Sequence, residues 1–97
     1  MMHDWVLRSI TYLWSKKCVE VEFEDDKGAK RELVFMDVRK LLVTQDEAWG
    51  ESVCINDVKI KDSGPGMTET TIEIQSGDSI EITSALRKRD MEEFVRR

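Results

Sequence analysis

From residue 18 onward the chain alternates apolar and ionised side chains with a period of two. That rhythm marks half-buried strands, because successive side chains of a pleated strand point to opposite faces. In Cys18–Glu24, Val19, Val21 and Phe23 share one face while Glu20, Glu22 and Glu24 share the other. Asp25-Asp26-Lys27-Gly28 then supplies turn chemistry, with Asx side chains that bond the backbone and a glycine free to take positive φ. The apolar run restarts over 31–36, so residues 18–36 are predicted to form a hairpin. Val38, Leu41, Leu42 and Val43 predict a strand over 38–44. Trp49-Gly50 marks a corner, followed by a short strand over 52–56 with Val53 and Ile55 inward. Residues 57–70 hold the chain's main cluster of loop formers, Asp62-Ser63-Gly64-Pro65-Gly66. A second hairpin pairs 71–75 with 79–83, setting Ile72 and Ile74 against Ile80 and Ile82 across Ser76-Gly77-Asp78.

The ends are more ambiguous. Val6, Leu7, Ile10, Leu13 and Trp14 fit a helical stripe with Asp4 as its N-cap. Yet Val6, Ile10, Tyr12 and Trp14 share one parity, and Ser15-Lys16-Lys17 would close a short hairpin loop, so strand is the preferred reading. Asp90-Met91-Glu92-Glu93 resembles a capping box, and Phe94 and Val95 give a last turn something to bury, which predicts a short helix within 85–97. Strand after strand with no helical segment between them excludes a parallel α/β sheet. The expected fold is mainly β, an antiparallel sandwich or small barrel of about six or seven strands with a short C-terminal helix.

Composition narrows the class. At 97 residues, 40% hydrophobic and 36% charged, the chain suits one soluble domain over residues 1–97. Its apolar runs are too short to span a membrane, so no membrane association is expected. The opening Met-Met-His-Asp-Trp lacks a basic stretch followed by a long apolar one, and with two cysteines, Cys18 and Cys54, this points to the cytoplasm. Free thiols are preferred over a Cys18–Cys54 bridge. The net charge is −5, divided as −7 over residues 1–86 and +2 over 87–97. An acidic body argues against nucleic-acid binding, which relies on Lys and Arg to neutralise phosphates. The tail cluster of Arg87, Lys88, Arg89, Arg96 and Arg97 leaves a small opening for RNA or an acidic partner, against the plainer reading of a solvated end.

No residues assemble into a reaction centre. His3 beside Asp4 could orient an imidazole, but as the only histidine, near the terminus, it reads as solvent-exposed. The cysteines lack metal-ligand spacing. Gly64-Pro65-Gly66 lacks the Lys and Ser/Thr of a phosphate loop, and Ser76 does not sit in a nucleophile elbow. The chain is therefore expected to be no enzyme and to need no cofactor. The carboxylates Glu20, Glu22, Glu24, Glu73 and Glu81 would form one negative ridge if both hairpins shared a sheet. The plainer reading is a solvated face that keeps the sheet soluble. Trp49, beside a glycine at a corner, reads first as a plug on the core and second as an interface anchor; Trp5 and Trp14 read as core.

His3-Asp4-Trp5, Trp49-Gly50-Glu51-Ser52-Val53-Cys54-Ile55-Asn56 and Ile72-Glu73-Ile74-Gln75-Ser76-Gly77-Asp78 together resemble a family of small uncharacterised bacterial proteins. The likeness spans most of residues 2–84, and residues 85–97 depart from it. It implies a β-rich cytoplasmic protein of unassigned role. The functional expectation is a non-enzymatic protein-binding module using an acidic face: Glu20, Glu22, Glu24, Asp25 and Asp26, with Trp49 as anchor. The partner would be a protein with a basic surface, as for an immunity-type protein that blocks a cationic toxin. The alternatives are a homo-oligomer joined through edge strands or the C-terminal helix and a small-ligand binder with an interior cavity.

Overall fold

The computed structural model describes residues 2–85; the helix expected in the tail, and its basic cluster, lie outside the described residues. Within them seven antiparallel strands run as β1 (Val6–Leu13), β2 (Cys18–Glu24), β3 (Lys30–Phe35), β4 (Lys40–Val43), β5 (Ile55–Asp62), β6 (Thr68–Ile74) and β7 (Ser79–Ser84). They form a three-stranded sheet, β1-β2-β3, and a four-stranded sheet, β4-β7-β6-β5. The barrel alternative is overturned, since the sheets do not close on each other through strand ladders.

Alternation explains the core. Val19, Val21 and Phe23 of β2 and Leu33 and Phe35 of β3 come from one sheet; Ile55, Ile72, Ile74, Ile80 and Ile82 come from the other. Met2, Trp5 and Val38 complete the same buried cluster. Burying each such side chain contributes about 1.5–3 kcal/mol, which is why the parity of these strands is fixed. Both inner faces meet in one core, so the two outer faces point in opposite directions.

Isolated backbone bonds stitch the sheets at their flanks. The Leu7 amide donates to the Val53 carbonyl (2.8 Å), the Ile55 amide to the Trp5 carbonyl (2.8 Å) and the Gln75 amide to the Cys54 carbonyl (2.9 Å). The chain just before β5 therefore touches both sheets. Elsewhere the Val38 amide donates to the Lys17 carbonyl (2.8 Å) and the Arg39 amide to the Thr83 carbonyl (2.8 Å), steering the chain from one sheet to the other.

Some expectations hold, among them the N-terminal strand and the free thiols, and others need correction. The N-terminal segment is a strand paired with β2, and a single 3-10 turn over Trp14–Lys16 joins the two, with Lys17 at φ 49°. Trp14 rides on that turn at 82% exposure instead of entering the core, its ring 5.7 Å from that of Tyr12. The strand expected over 52–56 begins only at Ile55 and runs to Asp62, while the expected long loop shrinks to residues 63–67. Val58 and Ile60 alternate there with Lys59 and Lys61, the charges of an edge strand that discourages pairing with other chains. Val53 is 53% exposed, not inward, because it precedes β5, which begins only at Ile55, so strand alternation does not set its facing. Cys18 and Cys54 are free thiols.

Candidate functional site

Each of the two hairpin turns buries an aspartate, Asp25 and Asp78, and the β6–β7 turn organises the site. Asp78 is only 6% exposed. Its Oδ1 accepts the Asp46 amide and the Thr44 hydroxyl (3.3 Å); its Oδ2 accepts the Glu47 amide (2.9 Å) and the Ser76 hydroxyl (2.8 Å). Burial is the largest single influence on this carboxyl and pushes it up. The Ser76 hydroxyl, the Asp46 and Glu47 amides and the Thr44 hydroxyl together outweigh burial and hold it below the usual carboxylate value. Backbone bonds reinforce the clamp, from the Thr44 amide to the Ser79 carbonyl (3.0 Å) and from the Trp49 amide to the Ser76 carbonyl (2.8 Å). One carboxylate thus nails the whole 44–49 connection to a turn more than thirty residues away.

The clamp presents Trp49. Its indole lies 80% exposed, so the preferred reading as a core plug is overturned. The ring is nonetheless supported from behind by Gly77: a methyl group on that glycine would stand 2.8 Å from Trp49 Cε3. Gly77 has φ 96°, a conformation other residues rarely adopt, and its missing side chain is the seat of the ring. Beside the ring runs an open groove of about 340 Å³, walled by Asn56, Thr71, Glu73, Ser79 and Glu81. The Glu73 carboxylate hydrogen-bonds the Lys59 ammonium (2.8 Å) and raises that amine above its usual value. Glu81 has no ion-pair partner among the described residues.

On the other flank of the same connection lies a larger cleft of about 410 Å³. Leu7 and Ile10 of β1 face Val43, Ile74 and Ile80 across it, and Gln45, Glu47, Glu51 and Ser52 form a polar rim. This is the size range of small-molecule sites, with an apolar floor and sparse polar groups.

The other candidate residues are dispersed. Glu20, Glu22 and Glu24 do share an outward face of β2, joined there by Glu32, which stands opposite Glu22. Two of them are partly neutralised: Arg8 donates to Glu24 twice (3.0 and 2.6 Å), and Lys30 stands 3.9 Å from Glu22. Asp25 is consumed by its own turn, its Oδ1 accepting the Lys27 and Ala29 amides (both 2.9 Å) and its Oδ2 the Arg31 Nε–H (3.0 Å). Asp26 is exposed. Glu73 and Glu81 lie on the outer face of the other sheet, so a single ridge through both hairpins does not form. Trp49 likewise belongs to the four-stranded side, away from the β2 glutamates. Residue-type scanning passed over Thr44 and Asp78, whose importance depends on a contact no local pattern announces.

Chemically the cluster is suited to holding, not reacting. Ser76 donates directly to Asp78 with no imidazole between them, and a carboxylate stabilised by four donors is a weak base. His3 Nδ1 lies 3.0 Å from Asp4 Oδ2 at the surface, and Asp4 Oδ1 accepts from Gln75 Nε2 (2.8 Å). Among the described residues no three His, Cys, Asp or Glu side chains converge to hold a metal ion. No protein-family model matches the chain, and no curated protein or solved structure matches it either.

Proposed function

We propose that this chain is a non-enzymatic protein-binding module whose partner presents a basic surface, with Trp49 as the anchor of the contact. The observation that carries this reading is the posture of Trp49, a large aromatic side chain left 80% exposed on a connection that Asp78 immobilises. An exposed tryptophan offers a large apolar area, and a fixed loop avoids the entropy that ordering a mobile one would cost. The negative charge of the body supports a basic partner, because complementary potential speeds encounter and disfavours wrong partners. An immunity-type role against a cationic toxin is one form of this reading.

The test is affinity capture from the native host, followed by kinetics on the captured protein. Trp49→Ala is expected to weaken binding by roughly thirtyfold, the scale of a hot-spot truncation. Reversing the charge of Glu20, Glu22 and Glu24 together should slow association and flatten its salt dependence if the β2 face takes part. Binding unaffected by either variant rejects the module. The 410 Å³ cleft favours a second reading, a binder of a small amphipathic ligand between β1 and β4. Heat-stabilisation by such a ligand, lost on Ile10→Glu, would establish it.

A further inference from the structure

We infer that the groove beside Trp49 is a receptor for a single cationic side chain, an arginine or lysine of the partner, held between the indole face and the Glu81 carboxylate. This rests on the binding-module reading and names the chemistry of its contact. Gly77 backs only the Cδ2–Cε3–Cζ3 part of the indole, where an added methyl group would stand 2.8 Å from Cε3, and it lines the same groove; the rest of the ring, in a side chain 80% exposed, borders that groove. An open indole face attracts cations through its ring quadrupole, tryptophan most strongly of the aromatic side chains. A carboxylate in the same groove supplies the counter-charge. Of the two glutamates there, Glu73 already serves Lys59 at 2.8 Å, whereas Glu81 pairs with no cation among the described residues.

The remaining walls fit the same occupant. Asn56, Thr71 and Ser79 bring oxygen acceptors to the groove, which suit the several N–H groups of a guanidinium or ammonium. Asp78 also borders it, but both its oxygens are engaged by the clamp. A second exposed tryptophan gives an internal comparison. Trp14 is equally solvent-accessible, yet its ring pairs with Tyr12 and it borders neither of the two grooves described above. If exposure alone attracted cations, the two indoles would respond alike.

The experiment uses the full chain, with the indole N–H signals of Trp5, Trp14 and Trp49 followed by ¹⁵N NMR during titration with an arginine-containing tetrapeptide amide. A second titration uses the same peptide with citrulline, a neutral isostere, in place of arginine. The arginine peptide should shift Trp49 while leaving Trp14 nearly still, with a dissociation constant on the order of millimolar for so small a contact. The citrulline peptide should shift neither, and Glu81→Gln should weaken the arginine response about fivefold, the worth of one exposed charge contact. Trp49→Phe keeps a ring on the loop and should retain a weaker response, read from the backbone amides of Gly77 and Ser79, which line the groove; its spectrum also reports whether the fold is intact. No Trp49 shift, equal shifts at Trp14 and Trp49, or equal responses to the two peptides would each overturn the cation receptor. If the captured partner still depends on Trp49 in any of those cases, the module stands and only its cationic chemistry falls.

Discussion

Two hairpin turns in this protein each bury an aspartate, and they do different work with it. Asp25, in the β2–β3 turn, spends its carboxylate on neighbours two, four and six residues along the chain. Asp78, in the β6–β7 turn, reaches a connection more than thirty residues back. The first shapes its own turn; the second decides where another segment lies, and with it the exposure of Trp49. Geometry sharpens the contrast. Both backbone amides at Asp25 converge on Oδ1, whereas at Asp78 each oxygen takes one amide, Asp46 on Oδ1 and Glu47 on Oδ2. An asparagine has one acceptor oxygen and one donor nitrogen. It could therefore keep both amides at position 25 but not at position 78, where an N–H would face an N–H whichever way the group is turned.

The largest expected effect follows from that difference. Asp78→Asn should lower the melting temperature at least twice as far as Asp25→Asn, since leaving a buried donor unmade costs more than losing a part-exposed ion pair. Amide hydrogen exchange should accelerate at Asp46 and Glu47 in the Asp78 variant and stay near the parent rate there in the Asp25 variant. Equal losses would mean that the clamp is no more than a second local turn.

Acid should probe the same pair. Both carboxyls are held below the usual value of 3.8: Asp78 by its four donors against burial, Asp25 first by the Ala29 amide and then by Arg31 and the Lys27 amide. A group whose folded pKa is depressed adds stability that is complete above its unfolded value and is lost as pH falls through the folded one. Stability should accordingly be flat in these two groups down to about pH 4 and decline below it. Asp78→Asn should reduce the steepness of that decline in a series of thermal melts, and a slope unchanged in the variant would remove Asp78 as a contributor.

These turns also show how far the sequence could be read. The alternation that packs Val19, Val21, Phe23, Ile72, Ile74, Ile80 and Ile82 inward is a local signal, and so is the Asp25–Gly28 turn, whose bonds span a few residues. The strand parity, both hairpins and the buried Trp5 were legible for that reason. What failed depends on distant partners. Trp49 looked like a core plug because nothing near it in sequence reveals that Gly77 would back only part of its ring, in a side chain left 80% exposed. Trp14 shares its parity with core residues, but the 3-10 turn at Trp14–Lys16 breaks the strand before that parity can act. β5 was half-hidden because an edge strand carries Asp57, Lys59, Lys61 and Asp62, the residues that elsewhere announce a loop.

The two glycines extend the comparison to smaller effects. Gly28 has φ 81° with open space beyond it, the nearest atom to an added methyl being Glu24 Oε1 at 3.8 Å. Gly28→Ala should therefore cost only the left-handed conformation, about 1 kcal/mol. Gly77→Ala meets the same conformational cost and the Trp49 ring as well, so its loss in chemical denaturation should be the greater. The ring must also shift, which Trp49 emission and its indole N–H signal would report. A Gly77→Ala protein with unchanged signals at Trp49 would show that the glycine does not seat the indole.

The smallest effect should be of opposite sign and tests the logic of burial itself. Ser76 and Thr70 are both buried hydroxyls, but Ser76 donates to Asp78 at 2.8 Å while Thr70 Oγ1 has no hydrogen-bond partner among the described residues. Thr70 stands in an apolar row, between Ile60 of β5 and Ile82 of β7. A hydroxyl desolvated there without a partner is a standing cost, and valine has nearly its shape and suits a strand. Thr70→Val should raise stability by about 1 kcal/mol, whereas Ser76→Ala should lower it by removing a donor from the Asp78 clamp. Paired denaturant melts read both signs directly. If Thr70→Val destabilises, its hydroxyl holds a bond that matters, and the inner face of β6 is less dry than its isoleucines suggest.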